Sequence, residues 1–223
     1  IAAVIQHNTA GYASPASKNI TSPKDFEGKK FGGIGVPLQE MMMRTIMEEH
    51  GADVEKVEFV NIGQSDWFTA MEREVDFSTI YYGWTGIEAE LRGLEINMMF
   101  YKDISEGFNF YTPILITSED MIEKHPDTVR KFVHAAAKGY EFAIENPSEA
   151  ADILIESVPE LNPDLVKRSQ EWLADRYQDD ADQWGIQELD RWVKPINHMY
   201  EAGIIDEKPD PEASFTNAFL PEK

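Results

Sequence analysis

The fold is decided by Lys29-Lys30-Phe31-Gly32-Gly33-Ile34-Gly35, a strand-like run that ends in a glycine-marked turn. Two similar runs follow, Val57–Gly63 and Val75–Gly83, and the residues between the runs (Val36–Gly51 and Asp66–Glu74) have helical patterns. Connections this short join parallel strands through right-handed crossovers. Ligands of such sheets bind beyond the carboxyl ends of the strands, so we expect the three turns to converge on one cleft.

Composition excludes several classes of function. The 223 residues carry 41 acidic and 20 basic side chains, a formal net charge of −21, which disfavours binding to nucleic acid and favours solubility. The chain has no cysteine, so disulfides, thiolate catalysis and cysteine-bound metals are excluded. No apolar run approaches the roughly 20 residues that span a bilayer.

The order of patterns predicts two lobes joined by two crossings of the chain. Residues 1–16 form part of lobe 1 and a crossing strand, with a strand at Ile1–Ile5 and a loop at Tyr12–Lys24. Residues 17–108 form lobe 2, the α/β ligand-binding lobe. Residues 109–223 hold the return crossing strand, Phe110–Thr117, and the helical part of lobe 1. The predicted helices there are Asp127–Ile144, Ser148–Ser157, Pro163–Tyr177 and Gln187–Ala202.

Motifs of enzymes and metal sites are absent from the sequence. The five histidines do not stand at metal-ligand spacing, and HExxH, GxSxG and P-loop motifs do not occur. Gly32-Gly33-Ile34-Gly35 only loosely matches a dinucleotide turn, because Leu38 replaces the third glycine of GxGxxG. We therefore predict neither catalysis, nor a metal, nor a cofactor.

The first turn is a candidate for binding a polar acceptor group. Gly35, Pro37 and Gln39 place the amino terminus of a helix at a strand end, where free N–H groups favour a carboxylate, formyl or phosphate oxygen. The turn lacks Ser, Thr, Lys and Arg, so a neutral acceptor fits better than a dianion. The alternative is that Gly35 and Pro37 only form the turn.

The third turn, Tyr81–Glu88, is the richer candidate. Tyr82 and Trp84 can stack on a flat ligand, and Glu88 follows Trp84 by one helical turn. A carboxylate there can accept two hydrogen bonds from an amino-substituted heterocycle. The alternatives are core packing for the two rings and an i,i+4 ion pair with Arg92 for Glu88.

The middle turn and the first crossing contribute further candidates. Gln64 is a candidate neutral hydrogen-bond donor, and Trp67 is a candidate aromatic ring that packs against the ligand. Asp66 is interpreted as a helix cap. At the end of the first crossing strand, Asn8 can both donate and accept, and is a better candidate than His7, which is more often structural.

Four segments resemble a known family. Ile20–Lys30 and Ser118–Phe132 are similar to the solute-binding proteins of bacterial ABC importers for sulfonates, taurine and thiamine precursors. Gln6-His7-Asn8-Thr9 together with Tyr82–Glu88 resembles the thiamine-pyrimidine branch, which includes binding proteins for formylaminopyrimidine.

The resemblance implies a periplasmic-binding-protein-like (type 2) two-lobed α/β fold, with the first part of lobe 1 missing from this sequence. It implies an aminopyrimidine ligand, delivery to an ABC permease, and an extracytoplasmic monomer that is either a cell-surface lipoprotein or periplasmic. It also implies that Glu88 binds the pyrimidine edge, that Tyr82 or Trp84 stacks on the ring, and that Asn8 adds a polar contact.

Three alternatives stay open. A sulfonate or taurine ligand is disfavoured because the first turn lacks hydroxyl and basic groups. The related pyrimidine synthases use a pyridoxal phosphate lysine, a histidine and a cysteine cluster, and this chain has no cysteine. The same fold also serves as the effector-binding part of transcriptional regulators, so a sensor is the third alternative.

Overall fold

The computed structural model describes residues 1–63 and 65–222. Its strands, in chain order, are β1 (Ala2–Ala3), β2 (Ala10–Pro15), β3 (Lys30–Gly33), β4 (Glu58–Asn61), β5 (Phe77–Tyr81), β6 (Ile96–Phe100) and β7 (Ile114–Leu115).

Nine α-helices are described within those ranges. They are α1 (Pro37–Glu49), α2 (Trp67–Arg73), α3 (Ile87–Leu91), α4 (Tyr101–Ile104), α5 (Glu119–Lys124), α6 (Pro126–Glu145), α7 (Pro147–Ser157), α8 (Pro163–Gln178) and α9 (Asp190–Glu201). Short 3₁₀ helices include Ala16–Lys18 and Pro23–Phe26, and a π-helical turn occupies Tyr82–Gly86.

The chain divides into two compact units. Unit 1 comprises Ile1–Asn8, Phe110–Ile196 and Pro209–Lys223, and unit 2 comprises Thr9–Asn109 and Asn197–Lys208. Unit 2 includes the short segment Asn197–Lys208, which contains the end of α9. The sequence-based division places this segment with residues 109–223 instead.

Unit 2 is built on a five-stranded sheet in the order β4-β3-β5-β2-β6. β3 pairs in parallel with both β4 and β5, which confirms the predicted parallel arrangement of the three glycine-ended strands. β2 pairs antiparallel with β5 and with β6. The sheet is therefore mixed, with a parallel part at β4, β3 and β5.

The predicted loop at Tyr12–Lys24 is wrong at its beginning, because β2 lies inside the sheet. Gly11 allows this strand to approach β6 closely: a Cβ atom on Gly11 would stand 2.1 Å from the carbonyl oxygen of Met99. Ladder partners on both sides outweigh the low strand propensity of Gly, Ser and Pro. Further along, Ser22 and Asp25 form the capping box of the 3₁₀ helix Pro23–Phe26, as the Ser22-Pro23 pattern predicts.

Both faces of the unit 2 sheet are covered. Tyr12 is the centre of an aromatic cluster on one face, with ring centres 4.9–5.9 Å from those of Phe26, Phe31, Phe77 and Tyr101. Ala13 alternates to the other face, where it packs with residues of α2 and α3. α1 begins at Pro37, as predicted, and buries all four of its methionines, consistent with packing.

Unit 1 pairs β1 antiparallel with β7 and is otherwise mostly helical. Both strands are shorter than the predicted Ile1–Ile5 and Phe110–Thr117. The N–H of Val4 still donates to the carbonyl of Pro113 at 3.0 Å, and beyond it the N–H of Gln6 donates to the carbonyl of Arg176 in α8. α6, α7 and α8 match their predicted positions within two residues.

The core of unit 1 surrounds Trp184. Its indole stacks on Tyr140 at 4.6 Å, and its Nε1 donates to the carbonyl of Val4 at 3.2 Å. The spacing of the apolar residues in α6 predicts one stripe that contains Val129, Phe132 and Val133. Val129 and Val133 face this core, but Phe132 is 56% exposed. The buried stripe of α6 is thus narrower than the sequence indicates.

Among the helices that the structure describes, none combines the length and the apolar character required to traverse a membrane.

Candidate functional site

The candidate site lies at one edge of the unit 2 sheet. Because β3, β4 and β5 are parallel, their carboxyl ends meet at this edge. The antiparallel β2 begins there, and the N–H of Tyr82 donates to the carbonyl of Thr9 at 3.1 Å. All three turns that the sequence singles out therefore follow neighbouring strands at the same edge.

A hollow of about 230 Å³ lies where β3 and β4 end and α1 begins. Three predicted site residues, Gly35, Pro37 and Gln39, line this hollow. Its other lining residues are Phe31, Gly33, Val36, Glu40, Phe59, Val60 and Asn61. Gly35 has φ +75°, and a Cβ atom there would stand 2.8 Å from Nδ2 of Asn61, so both the turn and the hollow need a glycine.

Two side-chain amides in the hollow are oriented by backbone donors. Oε1 of Gln39 accepts from the N–H of Ile34 at 2.8 Å. Oδ1 of Asn61 accepts from the N–H of Gly63 at 3.0 Å. Sequence reasoning missed Asn61, although an asparagine two residues before a glycine, at a strand end, is a signal for such a turn.

The third turn opens into a π-helical turn, Tyr82–Gly86, that runs into α3. π-Helical turns often occur at functional sites. The hydroxyl of Tyr82 donates to Oε1 of Glu90 at 2.5 Å, and the Tyr82 ring lies 5.6 Å from that of Phe100. Trp84 is 39% exposed, so its ring is not core packing.

Glu88 forms the i,i+4 ion pair with Arg92 that is the alternative to a ligand contact. Its Oε1 accepts from both Nε and Nη2 of Arg92. The guanidinium of Arg92 also lies over the ring of Phe68. In the described part of the chain, Oε2 of Glu88 has no hydrogen-bond partner, so half of the carboxylate is available to a ligand.

In the middle turn, Asp66 caps α2 as interpreted from the sequence: its Oδ2 accepts from the N–H of Thr69 at 2.9 Å. Trp67 is 8% exposed and packs against Phe68 in the core cluster of α2 and α3. Gln64, the other candidate of this turn, lies outside the described residues.

Asn8 and His7 belong to unit 1. Asn8 is fully buried. His7 Nε2 lies 2.9 Å from Oδ1 of Asp180, and with Asp179 these residues bring three possible metal-ligand atoms within 4.8 Å of one another. Arg191 Nη1 lies 3.5 Å from His7 Nδ1, and its positive charge opposes a cation at this cluster.

The family model described as "NMT1/THI5 like" matches residues 1–150.

Three curated proteins illustrate the relatives of this chain. The Formylaminopyrimidine-binding protein of Halalkalibacterium halodurans is 24% identical over 210 residues, which is 91% of this chain and 62% of that protein. The Riboflavin-binding protein RibY of Chloroflexus aurantiacus is 29% identical over 72% of this chain and 46% of its own length. The 4-amino-5-hydroxymethyl-2-methylpyrimidine phosphate synthase of Legionella pneumophila is 22% identical over 100% of this chain and 69% of its own length.

The fold also matches solved structures. The periplasmic aliphatic sulphonate binding protein SsuA from Escherichia coli gives a TM-score of 0.70 at 13% identity, covering 99% of this chain and 71% of that chain. This likeness shows the fold, and confirms the predicted α/β fold of periplasmic solute-binding proteins. The chain spans less than two thirds of the first two curated relatives.

Proposed function

Because the chain belongs to the NMT1/THI5-like family, we propose that it is the solute-binding protein of an ABC importer for a thiamine-precursor aminopyrimidine. The specific ligand is N-formyl-4-amino-5-aminomethyl-2-methylpyrimidine, and its role is salvage. The name of the Halalkalibacterium relative supports this ligand class, and RibY is named for another flat nitrogen heterocycle.

The observation that carries the proposal is the arrangement of Trp84 and Glu88 on the turn after β5. Trp84 exposes a flat apolar ring, and a stacked heterocycle gains about 0.5–1.5 kcal/mol beyond burial of area. Glu88, held by Arg92 through Oε1 alone, offers Oε2 to the amino group of a pyrimidine. Tyr82 belongs to the proposed set of contacts as well, with the hollow at Gly35, Pro37 and Gln39.

The protein acts outside the cytoplasm, as a cell-surface lipoprotein or in the periplasm, and delivers its ligand as a monomer to a membrane permease. The periplasmic SsuA fold and the names of the binding-protein relatives support this assignment.

Synthesis of a pyrimidine phosphate is the second candidate function, favoured by the name of the Legionella relative. The chain lacks the cysteine cluster of the eukaryotic synthases. A bound pyridoxal phosphate absorbance in the full-length protein would support the enzyme over the receptor.

Calorimetric titration of the full-length protein with the formylaminopyrimidine tests the receptor. We expect saturable binding that weakens by about 10–150-fold in Glu88→Gln, because a hydrogen bond to a charged group contributes roughly 1.5–3 kcal/mol. Trp84→Leu should also weaken binding, by about 2–13-fold.

The matched control is Glu123→Gln, which changes an exposed glutamate of α5 in unit 1 and should bind as the wild type does. Riboflavin and taurine are titrated in parallel. Binding of either compound in preference to the pyrimidine would reject the proposed ligand, and equal affinity in Glu88→Gln and the wild type would reject the site.

A further inference from the structure

We propose that the hollow at the ends of β3 and β4 is a subsite for a neutral hydrogen-bond acceptor, the oxygen of a formamide-type carbonyl, and that Asn61 and Gln39 select it. This inference rests on the proposed function and specifies which end of the ligand enters the hollow. Asn61 was not among the residues singled out by the sequence.

The two amides have fixed orientations. An amide whose oxygen accepts a backbone hydrogen bond must direct its NH₂ group elsewhere. For Asn61 the donor is the N–H of Gly63, and Nδ2 is left beside Gly35 at the rim of the hollow. For Gln39 the donor is the N–H of Ile34. Neither NH₂ group has a partner among the residues described, so two donors are available to a ligand in one small space.

The charges of the hollow exclude an anion. Glu40 is the single ionisable side chain among the described lining residues, and it carries a negative charge. A sulfonate or phosphate would need a cation or several donors to offset its desolvation, and the described lining side chains include no cation. A neutral carbonyl oxygen needs only the two amide donors.

An amine is also a poor fit. An ammonium group has three donors and no lone pair, so it would meet the NH₂ groups of Asn61 and Gln39 donor to donor. The charge of Glu40 is shared with Arg44, whose Nη2 lies 3.5 Å from Oε1 of Glu40. The hollow therefore distinguishes a formylated amine from the free amine.

Size and apolar lining agree with a subsite rather than a complete site. Pockets that hold a whole small molecule measure about 300–1,000 Å³, and this hollow measures about 230 Å³. Phe59 is 40% exposed and packs edge-on against the buried Phe31, with ring centres 5.6 Å apart. The rings of Phe31 and Phe59 can pack against the C–H of a formamide while its oxygen accepts hydrogen bonds from the amides of Asn61 and Gln39.

The test compares two ligands in calorimetry with the full-length protein: the formylaminopyrimidine and the same pyrimidine with a free aminomethyl group. Asn61→Asp keeps the oxygen that accepts from Gly63 but replaces the donor by a charged acceptor. We expect the preference for the formylated ligand over the amine to fall by about tenfold or more. Gln39→Glu makes the equivalent change at the other amide, and the same shift is expected.

The matched control is Asn19→Asp, an exposed asparagine after the 3₁₀ helix Ala16–Lys18, which adds the same charge and should keep the wild-type preference. Thermal melting of each variant shows that it is folded. An unchanged preference in both Asn61→Asp and Gln39→Glu would overturn the subsite while leaving the receptor in place. If the wild type binds neither pyrimidine, the proposed function itself fails.

Discussion

The guanidinium carbon of Arg92 lies 3.8 Å from the centre of the Phe68 ring, while two of its nitrogens donate to Glu88. One arginine therefore connects the core side of α2 with the carboxylate at the start of α3. Because the guanidinium packs on the buried ring of Phe68, it holds the carboxylate of Glu88 in one orientation. Arg92 is therefore a positioning residue for the proposed site.

Replacing Arg92 should lower stability. In Arg92→Ala we expect the free energy of unfolding to fall by about 0.5–2 kcal/mol, from a cation–π contact of about 0.5–1 kcal/mol and an ion pair of up to about 1 kcal/mol. Urea unfolding measures the change. The control Lys124→Ala removes an exposed i,i+4 pair with Asp120 that contacts no aromatic ring among the described residues, and should cost less than about 0.5 kcal/mol. Equal losses in the two variants would refute the role of Phe68.

Gly35 and Gly28 provide a matched pair of glycine substitutions. Both have φ +75°, so alanine should cost each about 1–2 kcal/mol of backbone strain. At Gly28 a Cβ atom meets nothing within 4 Å, whereas at Gly35 it displaces the amide of Asn61. We expect similar losses of thermal stability but weaker ligand binding only in Gly35→Ala, measured by calorimetry. Wild-type affinity in Gly35→Ala would contradict the role of the hollow.

Gly11 is the position where alanine should do most damage to the sheet. Its Cβ atom would stand 2.1 Å from the carbonyl oxygen of Met99 and force β2 and β6 apart. We expect Gly11→Ala to cost at least about 1–3 kcal/mol of unfolding free energy. Gly139→Ala, in α6 with open space around it, should instead stabilise the protein by about 0.5–1 kcal/mol. Chemical denaturation of both variants measures these free energies of unfolding. An unchanged value in Gly11→Ala would show that β2 is not held tightly against β6.

Burial raises the pKa of Tyr177 to about 12, with a smaller contribution from Tyr140. The folded state then keeps its proton at pH values where the unfolded tyrosine, with a pKa of about 10, has lost it. The contribution of Tyr177 to the free energy of unfolding is therefore fully present below pH 10 and is lost as the pH rises towards 12. Urea unfolding at pH 9 and at pH 11 measures the change. Between these two pH values, we expect the free energy of unfolding of Tyr177→Phe to fall by about 1 kcal/mol less than that of the wild type.

The control for this measurement is Tyr200→Phe, which changes an exposed tyrosine and should leave the alkaline loss of stability as in the wild type. An identical pH dependence of Tyr177→Phe and the wild type would contradict the assignment.

The parallel strands and α1 were predictable because their signals are local: a glycine ends each strand, and apolar residues at helical spacing follow Pro37. β2 was not, because both of its ladder partners lie far along the chain, and its own Gly, Ser and Pro residues favour a turn. The exposure of Phe132 has the same origin, since the width of a buried helix face depends on which neighbours cover it.

For the site, residue types predicted which turns matter but not how their side chains pair. The i,i+4 spacing predicts an ion pair between Glu88 and Arg92 as the alternative to a ligand contact, and the structure contains this pair. The role of Phe68 beneath Arg92, and the orientation of Asn61 by Gly63, depend on tertiary placement that spacing along the chain does not encode.

The central position of β2 has a kinetic consequence. Its hydrogen-bonding neighbours begin at Phe77 and Ile96, so this strand has a partner on each side only after synthesis has continued through Phe100. Closure of such distant segments makes folding slow relative to a helical bundle of equal size. During synthesis the unpaired edges of Ala10–Pro15 stay open to other chains, and this interval is when the protein most needs a chaperone.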